Sequence, residues 1–555
     1  MSSKRHSPPR PRGIQVARWQ RMCLHARNLL SLDHAIAAGR PSTVLAELHQ
    51  AIVDQKEVSD WKQFPVALKA MREKVVAEDA FYRSLVEEPG QFLERLDNAL
   101  RNRTRRLDIG HPEAWNRFYQ GRFLGHARVQ YAVGQGGFHV GGLTPLLSDA
   151  TAIQDWAGRQ HVGQSSFLYV YDCGSSPREG AAGEVKVFAR RSRRKAVELL
   201  FLSHFDDDHM SSVSDLFSNK LKVDTVVMPY IDDVERVIGF ARAVALKEAV
   251  AQLTAEMVVE PVRALRRLGV RQVLFVDGGD VTSPDADFGD PPSGSGGDGI
   301  KWRIAPKENG KLLHTRHLPD GAIVIRNAAI DVAASAGTGP AWRLVPYVRK
   351  ARADEKALFA QVAEALLGWD YGTFAAQMAD LGVRQSVIAR SRDLLADAYK
   401  YAFRGKNITS LSLYSGPSDP RSAGATVVMP RMAEEEFAKI AWMGTGDAPL
   451  RRKSHIDAFE AHYGDLLDAV STFMLPHHGS LHNSDPDRLI SNADIYVAAA
   501  QPSREDWKHP APQLEAKVRR LNRAFCRVDK RKGSRLEEAF VLFCTNLDEG
   551  DQDVA

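Results

Sequence analysis

Cysteine is scarce. The four in 555 residues, Cys23, Cys173, Cys526 and Cys544, are too widely scattered for a zinc ribbon or a Cys-x-x-Cys redox pair. They read as incidental thiols of a reducing compartment, which argues against a disulfide scaffold and against cysteine chemistry. Long apolar runs are missing as well. No window approaches the roughly 20 uninterrupted apolar residues that a membrane helix needs. The basic, proline-bearing start, Met1 to Arg12, has no apolar stretch behind it, as a secretory signal would. The expected location is therefore cytoplasmic, without membrane contact. An excess of one charge is also absent: 74 Lys and Arg against 69 Asp and Glu leave a net +5, a weak argument for nucleic acid on its own.

What is present is the composition of folded protein, 44% hydrophobic and 26% charged, which excludes a disordered chain or a collagen-like repeat. At roughly 100 to 200 residues per domain, the length allows two to four domains, or one large decorated domain with an appendage. Basic residues cluster twice, at Arg101, Arg103, Arg105 and Arg106, and at Arg190, Arg191, Arg193, Arg194 and Lys195. Each cluster reads as a solvated helix end or as a polymer-binding tract.

Behind a basic tail over residues 1–14, apolar residues recur at three and four positions (Leu45, Leu48, Ile52; Val66, Leu68, Met71, Val75). That period predicts an all-helical N-terminal domain over 15–110. Such helices are packing elements or a docking surface for a protein partner. From about 120 to 550 the pattern changes to short β-rich runs bounded by turn residues, among them Ser166 to Tyr171, Ala196 to Leu202 and Ile495 to Ala499, as in an α/β core. Helical stretches over 231–268 and 354–406 interrupt it. Between them, residues 277–300 are rich in Gly, Ser, Pro and Asp, and predict a flexible loop.

Three apolar runs end in residues that bind metals. Ala196 to Leu202 leads into Ser203-His204-Phe205-Asp206-Asp207-Asp208-His209, two histidines and three carboxylates in six positions. Such crowding is costly unless a cation neutralises it. The competing reading is a polar loop in which Asp206 to Asp208 cap the helix that begins near Met210. Ile440 to Met443 runs into Gly444-Thr445-Gly446-Asp447, and Thr472 to Leu475 into Pro476-His477-His478-Gly479-Ser480. Three strand ends with ligand chemistry favour the metal site, because ligands on strand ends are held rigidly by the sheet.

This series, His-x-Asp-x-Asp-His, then Gly-Asp-Ala, then Pro-His-His-Gly-Ser, resembles the metallo-β-lactamase fold, and more narrowly the soluble hydrolase part of the ComEC-type DNA-uptake proteins. Val133-Gly134-Gln135-Gly136, Tyr169 to Gly174, Asn407-Ile408-Thr409-Ser410-Leu411 and His509-Pro510 extend the likeness over about Phe123 to Cys544. It implies a four-layer αβ/βα sandwich with helical insertions and two divalent ions at one sheet edge. His204 and Asp206 would hold one ion, Asp208 and His209 the other, and Asp447 would bridge them. One of His477 and His478 would complete the second site while its neighbour serves the leaving group, and His509 would reach the substrate. Most members of that fold carry histidine where Asp206 stands. The oxygen ligand shifts preference toward manganese or magnesium beside zinc. His314 and His317 are the candidates for a further ligand that many relatives supply, whereas His139 and His462 read as surface or capping residues.

Two such ions, about 3.5 to 4 Å apart, would activate a water that Asp208 orients and stabilise charge on a phosphoryl oxygen. The resemblance therefore implies a phosphodiesterase or nuclease cutting DNA. Two further readings are a hydrolase of a small phosphoester, such as a phosphocholine ester or a signalling nucleotide, and a scaffold or sensor in a bacterial defence module.

Overall fold

The computed structural model describes residues 123–146, 162–245, 252–278, 291–307, 313–334, 341–349, 353–403, 409–418, 424–428, 439–488, 493–501 and 509–542. The basic tail, the expected helical domain over 15–110 and the tract Arg101 to Arg106 lie outside the described residues.

Two large mixed sheets carry the fold, their strands numbered in chain order. The first contains β1 (Phe123–Gln130), β2 (His139–Leu146), β3 (Phe167–Tyr171), β4 (Ala196–Phe201), β5 (Lys222–Pro229), β6 (Gln272–Val276), β9 (His314–His317), β10 (Ile323–Arg326), β14 (Gly424–Val428) and β19 (Leu536–Leu542). Their spatial order is β14-β19-β1-β2-β3-β4-β5-β6-β10-β9. The second contains β7 (Ser293–Ser295), β8 (Ile300–Pro306), β11 (Ala328–Ala334), β12 (Trp342–Val348), β13 (Leu411–Pro417), β15 (Ala441–Gly444), β16 (Val470–Met474), β17 (Ile495–Ala499) and β18 (Ala524–Val528). These run in the order β18-β17-β16-β15-β13-β12-β11-β8-β7. Both sheets have the same internal plan, an antiparallel half followed by parallel strands: β3 to β6 in the first and β15 to β18 in the second.

Side-chain alternation explains why the sheets stack. On β3, Phe167, Tyr169 and Tyr171 point into a core shared with Trp302, Trp342, Leu413 and Trp442 of the second sheet. Leu168 and Val170 point the other way, toward helices α1 (Glu179–Arg191), α3 (Val213–Ser218) and α6 (Pro261–Arg267). Strands covered on both faces read as continuous apolar runs, as β3 and β4 do. The outer face of the second sheet packs Tyr414, Met443 and Phe473 against α11 (Lys453–Tyr463) and Val518 of α12 (Pro512–Arg520). Helices therefore cover both outer faces of the paired sheets. A buried arginine ties the two together: Arg128 on β1 donates from Nε to Glu538 Oε2 at 2.7 Å, from Nη1 to Ile440 O at 2.8 Å and from Nη2 to Thr472 Oγ1 at 3.0 Å. A buried charge is tolerated when its donors are satisfied in this way.

The two helical stretches fold against one another. The first contributes α4 (Asp233–Ala245), α5 (Gln252–Val259) and α6, and the second α7 (Ala353–Leu367), α8 (Phe374–Ala379), α9 (Leu381–Arg390) and α10 (Arg392–Phe403). Val237, Phe240 and Ala241 of α4 share a satellite core with Phe359, Phe374, Leu395, Tyr399 and Phe403. Lys356 Nζ lies 2.7 Å from Asp232 Oδ2, and Arg384 Nη1 lies 3.1 Å from Asp233 Oδ2. Segments separated by about 85 residues, from Arg267 to Ala353, thus make one helical cluster.

The expected flexible loop over 277–300 is in part a strand edge. Residues 279–290 lie outside the described residues, but Ser293–Ser295 pair with β8. The glycines here serve close approach: a Cβ on Gly294 would stand 2.5 Å from Trp302 Nε1, and Gly297 N donates to Ser166 O at 2.6 Å. Among the described residues no helix is long and apolar enough to cross a membrane.

Candidate metal centre

The three strand ends of interest come together. β4 stops at Phe201, the chain leaves the sheet through Leu202 to Asp206, and one helical turn, α2 (Asp207–Met210), carries Asp208 and His209. Asp206 sits at the N-terminal flank of α2, but its side chain makes no capping hydrogen bond. The capping alternative therefore fails for Asp206. Asp207 points away and accepts a hydrogen bond from Thr254 Oγ1 on α5 at 2.9 Å.

Backbone packing holds this turn. A Cβ on Gly174 would come within 2.5 Å of Met210 N and 2.6 Å of Asp207 O, and one on Gly136 within 2.6 Å of Asp208 O. Gly137 N donates to Asp208 O at 3.0 Å and Cys173 N to His209 O at 2.7 Å. The Gly-Gln-Gly and Asp-Cys-Gly segments are thus the cradle of the turn. On the second sheet, the Gly446 turn after β15 (φ +50°) leaves room for Ser410, whose Oγ accepts from Asp447 N at 3.0 Å. After β16, His477 (φ 47°) and His478 (φ 58°) both hold left-handed backbone. Each such residue costs on the order of 1–3 kcal/mol, and this strain tends to gather at functional sites.

Hydrogen bonds fix how each imidazole faces. His478 Nδ1 is 2.8 Å from Ala499 O; a carbonyl only accepts, so Nδ1 carries the proton. His209 Nδ1 donates to Asp172 Oδ2 at 2.7 Å. Ser203 Oγ gives its proton to Asp172 Oδ2 at 2.8 Å and accepts from His204 Nδ1 at 2.8 Å. Asn483 Nδ2 donates to Asp447 O at 2.7 Å, which leaves its Oδ1 to accept from His477 Nδ1 at 2.8 Å. In the neutral form all four rings therefore present an Nε2 lone pair.

Those lone pairs face carboxylate oxygens. His204 Nε2 is 3.0 Å from Asp206 Oδ2 and 3.6 Å from Asp447 Oδ2. His209 Nε2 is 3.3 Å from Asp447 Oδ1 and 3.8 Å from Asp208 Oδ2. His478 Nε2 is 2.9 Å from Asp208 Oδ2, and His477 Nε2 is 3.7 Å from Asp447 Oδ2. Lone pair against carboxylate is repulsive unless a proton or a metal cation lies between them. His204 Nε2 and His209 Nε2 are buried with no hydrogen-bond partner. Three groups have ligand atoms close enough to share an ion: His204 with Asp208 and His209, His209 with Asp447 and His478, and His204 with Asp206 and Asp447. These residues could hold a metal ion.

Electrostatics follow the same geometry. Burial works against ionising Asp208 and Asp447, yet the surrounding histidines hold both carboxyls well below the usual range. His209 is pushed the other way: burial lowers it, but Asp208, Asp172 and Asp447 together raise it well above 6.5. Burial and the neighbouring His209 bring His204 down to about 3.

The remaining predicted positions divide. His509 stands beside the centre, its ring centroid 5.3 Å from that of His477, and is brought down to about 3 by burial and by His477 and His478. His314 and His317 lie on β9, the edge strand of the first sheet, and belong to none of the three ligand groups. His139 is no surface residue: it is buried between the sheets, stacked on Trp442 at 3.8 Å between centroids, where alternation on β2 turns it inward. His462 is half-buried on α11 with its ring 4.6 Å from that of Tyr347. In the second basic tract, Arg194 is tied to Glu198 Oε1 at 2.7 Å, at the opposite end of β4 from the ligands.

Three contributors were not singled out from the sequence. Asp172 and Ser203 orient His209 and His204, and Asp172 could have been found, since it ends β3 inside a motif already noticed. Arg242, on α4, is buried with its guanidinium against Asp206 Oδ2 and 3.7 Å from Asp447 Oδ2. Nothing local in its helix marks it. No protein-family profile and no curated protein matches the chain.

Proposed function

We propose that the chain is a metal-dependent phosphodiester hydrolase of the metallo-β-lactamase fold, with nucleic acid, DNA foremost, as its substrate class. The observation that carries the reading is the convergence of four imidazole Nε2 atoms on the carboxylates of Asp206, Asp208 and Asp447, all at the ends of parallel strands. Clefts outside such strand ends are where α/β sheets commonly bind ligands. Asp208, His209, Asp447 and His478 would hold a divalent ion, and the mixed oxygen and nitrogen set suits zinc or manganese. Such an ion, when bound, makes a coordinated water acidic enough to attack at neutral pH and withdraws charge from a phosphoryl oxygen.

The chain's own residues do the rest. Asp172 fixes the His209 ring through Nδ1, as the outer carboxylate of a metal-bound histidine does. Asp208, held ionised, orients the attacking water. His478 is the member of the histidine pair that faces Asp208, which leaves its neighbour His477, together with His509, for the leaving oxygen. His509, brought down to about 3 by burial and by His477 and His478, is neutral at pH 7, so it can serve a leaving oxygen by donating from the one ring N–H it keeps.

A second reading, hydrolysis of a small phosphoester, is favoured by the helical cluster, which reaches the centre through Arg242 and holds the ligand-bearing turn from outside through Thr254. The test is a panel of single-stranded DNA, duplex DNA, RNA and bis-p-nitrophenyl phosphate, each with zinc, manganese or magnesium, run beside Asp208→Ala. Cutting of polymers that the variant loses supports the nuclease. Activity on the small diester alone supports the second reading, and no activity on any of them contradicts both.

A further inference from the structure

We propose that Arg242 stands in for the first of the two expected ions, so that the centre binds one divalent metal beside one built-in guanidinium. The inference rests on the metal-hydrolase reading. Its basis is the division of labour between the two oxygens of Asp447. Oδ1 faces His209 Nε2 at 3.3 Å, on the side of Asp208 and His478. Oδ2 faces the other way, 3.6 Å from His204 Nε2 and 3.7 Å from an Arg242 terminal nitrogen, while the other terminal nitrogen of Arg242 rests on Asp206 Oδ2. An ion held by His204, Asp206 and Asp447 would need the very oxygens that the guanidinium contacts.

The two cations cannot share that space. A guanidinium has no lone pair to offer a metal and keeps its charge at any working pH, so it competes with an ion for Asp206 and Asp447. On the other side of Asp447 there is no such competitor among the described residues, and His209, Asp447 and His478 have ligand atoms close enough to share an ion, with Asp208 Oδ2 2.9 Å from His478 Nε2. The same geometry accounts for Asp206, whose carboxylate pairs with the guanidinium.

Arg242 is anchored for this task. It is buried, and Val237, Ile238, Phe240 and Ala241 around it on α4 pack into the satellite core with α7 to α10. The helical cluster therefore delivers a fixed positive charge to the edge of the centre, where a phosphodiester oxygen needs one. Arg242 is a positioning residue for Asp206 and Asp447, set by a subdomain that the ligand loops do not contain.

The test is metal stoichiometry of the full-length protein by native mass spectrometry and elemental analysis after loading with zinc or manganese. Wild type is expected to hold one ion per chain, Asp206→Asn to hold one, and Arg242→Met, which keeps an apolar stem but removes the charge, to hold two. Two ions in wild type would overturn the proposal, as would one ion in a folded Arg242→Met. Should Arg242→Met not fold, the Asp206→Asn count decides: one ion retained supports the proposal, and loss of the wild-type ion overturns it. No ion in wild type would instead sink the metal-hydrolase reading itself.

Discussion

The ligand-bearing loops and the helical cluster supply the same centre by different means. The loops at the ends of β4, β15 and β16 bring His204 to His209, Asp447, His477 and His478 as short contiguous motifs, each stiffened by its own strand. The helical cluster brings Arg242 from a surface assembled out of two segments separated by about 85 residues. Chemistry carried by a strand end is local and can be read from a few letters. Chemistry carried by a subdomain depends on packing that no short window contains.

The comparison breaks most visibly if the shared carboxylate is removed. Asp447→Ala should abolish ion binding and lower hydrolysis by on the order of 10³-fold or more, because both sides of the centre use this residue; elemental analysis beside a rate assay checks it. A smaller effect is expected where the loop is held by backbone contact. Gly174→Ala places a Cβ 2.5 Å from Met210 N and should cost about 3 kcal/mol of stability, read as a lower denaturant midpoint.

Asp172→Asn keeps the shape but weakens the hold on His209. Ion affinity should fall roughly 10- to 100-fold with the unfolding midpoint of the ion-free protein little changed, as titration calorimetry and denaturation would show. On the helical side, Thr254→Val removes the hydrogen bond from Thr254 Oγ1 to Asp207 and should cost about 1 kcal/mol. If it instead costs as much as Asp172→Asn costs in ion binding, the loop is less self-sufficient than its packing indicates.

Much of this was readable in the sequence. The apolar runs Ala196 to Leu202, Ile440 to Met443 and Thr472 to Leu475 announced buried strands, and the ligand residues followed at their ends. The edge strand β7 was hidden because Ser293-Gly294-Ser295 has the composition of a loop; only the indole of Trp302 explains why glycine is needed there. His139 looked like any polar residue until its strand turned it onto Trp442. Arg242 was invisible for the reason already given, since its neighbours on α4 spell an ordinary amphipathic helix. Asp172 was quoted in a motif, but its role depends on a histidine that is 37 residues away and 2.7 Å distant.

The central claim is that the buried imidazole lone pairs and carboxylates form a site for a divalent cation. Its most direct test is the thermal unfolding midpoint of metal-free protein as zinc or manganese is added, wild type beside Asp447→Ala. Binding to the folded state alone should stabilise wild type by about 2.7 kcal/mol at a hundred times the dissociation constant, and so raise its midpoint while the variant stays flat. A wild-type midpoint that does not move with either metal, or one that moves equally in Asp447→Ala, would contradict the account.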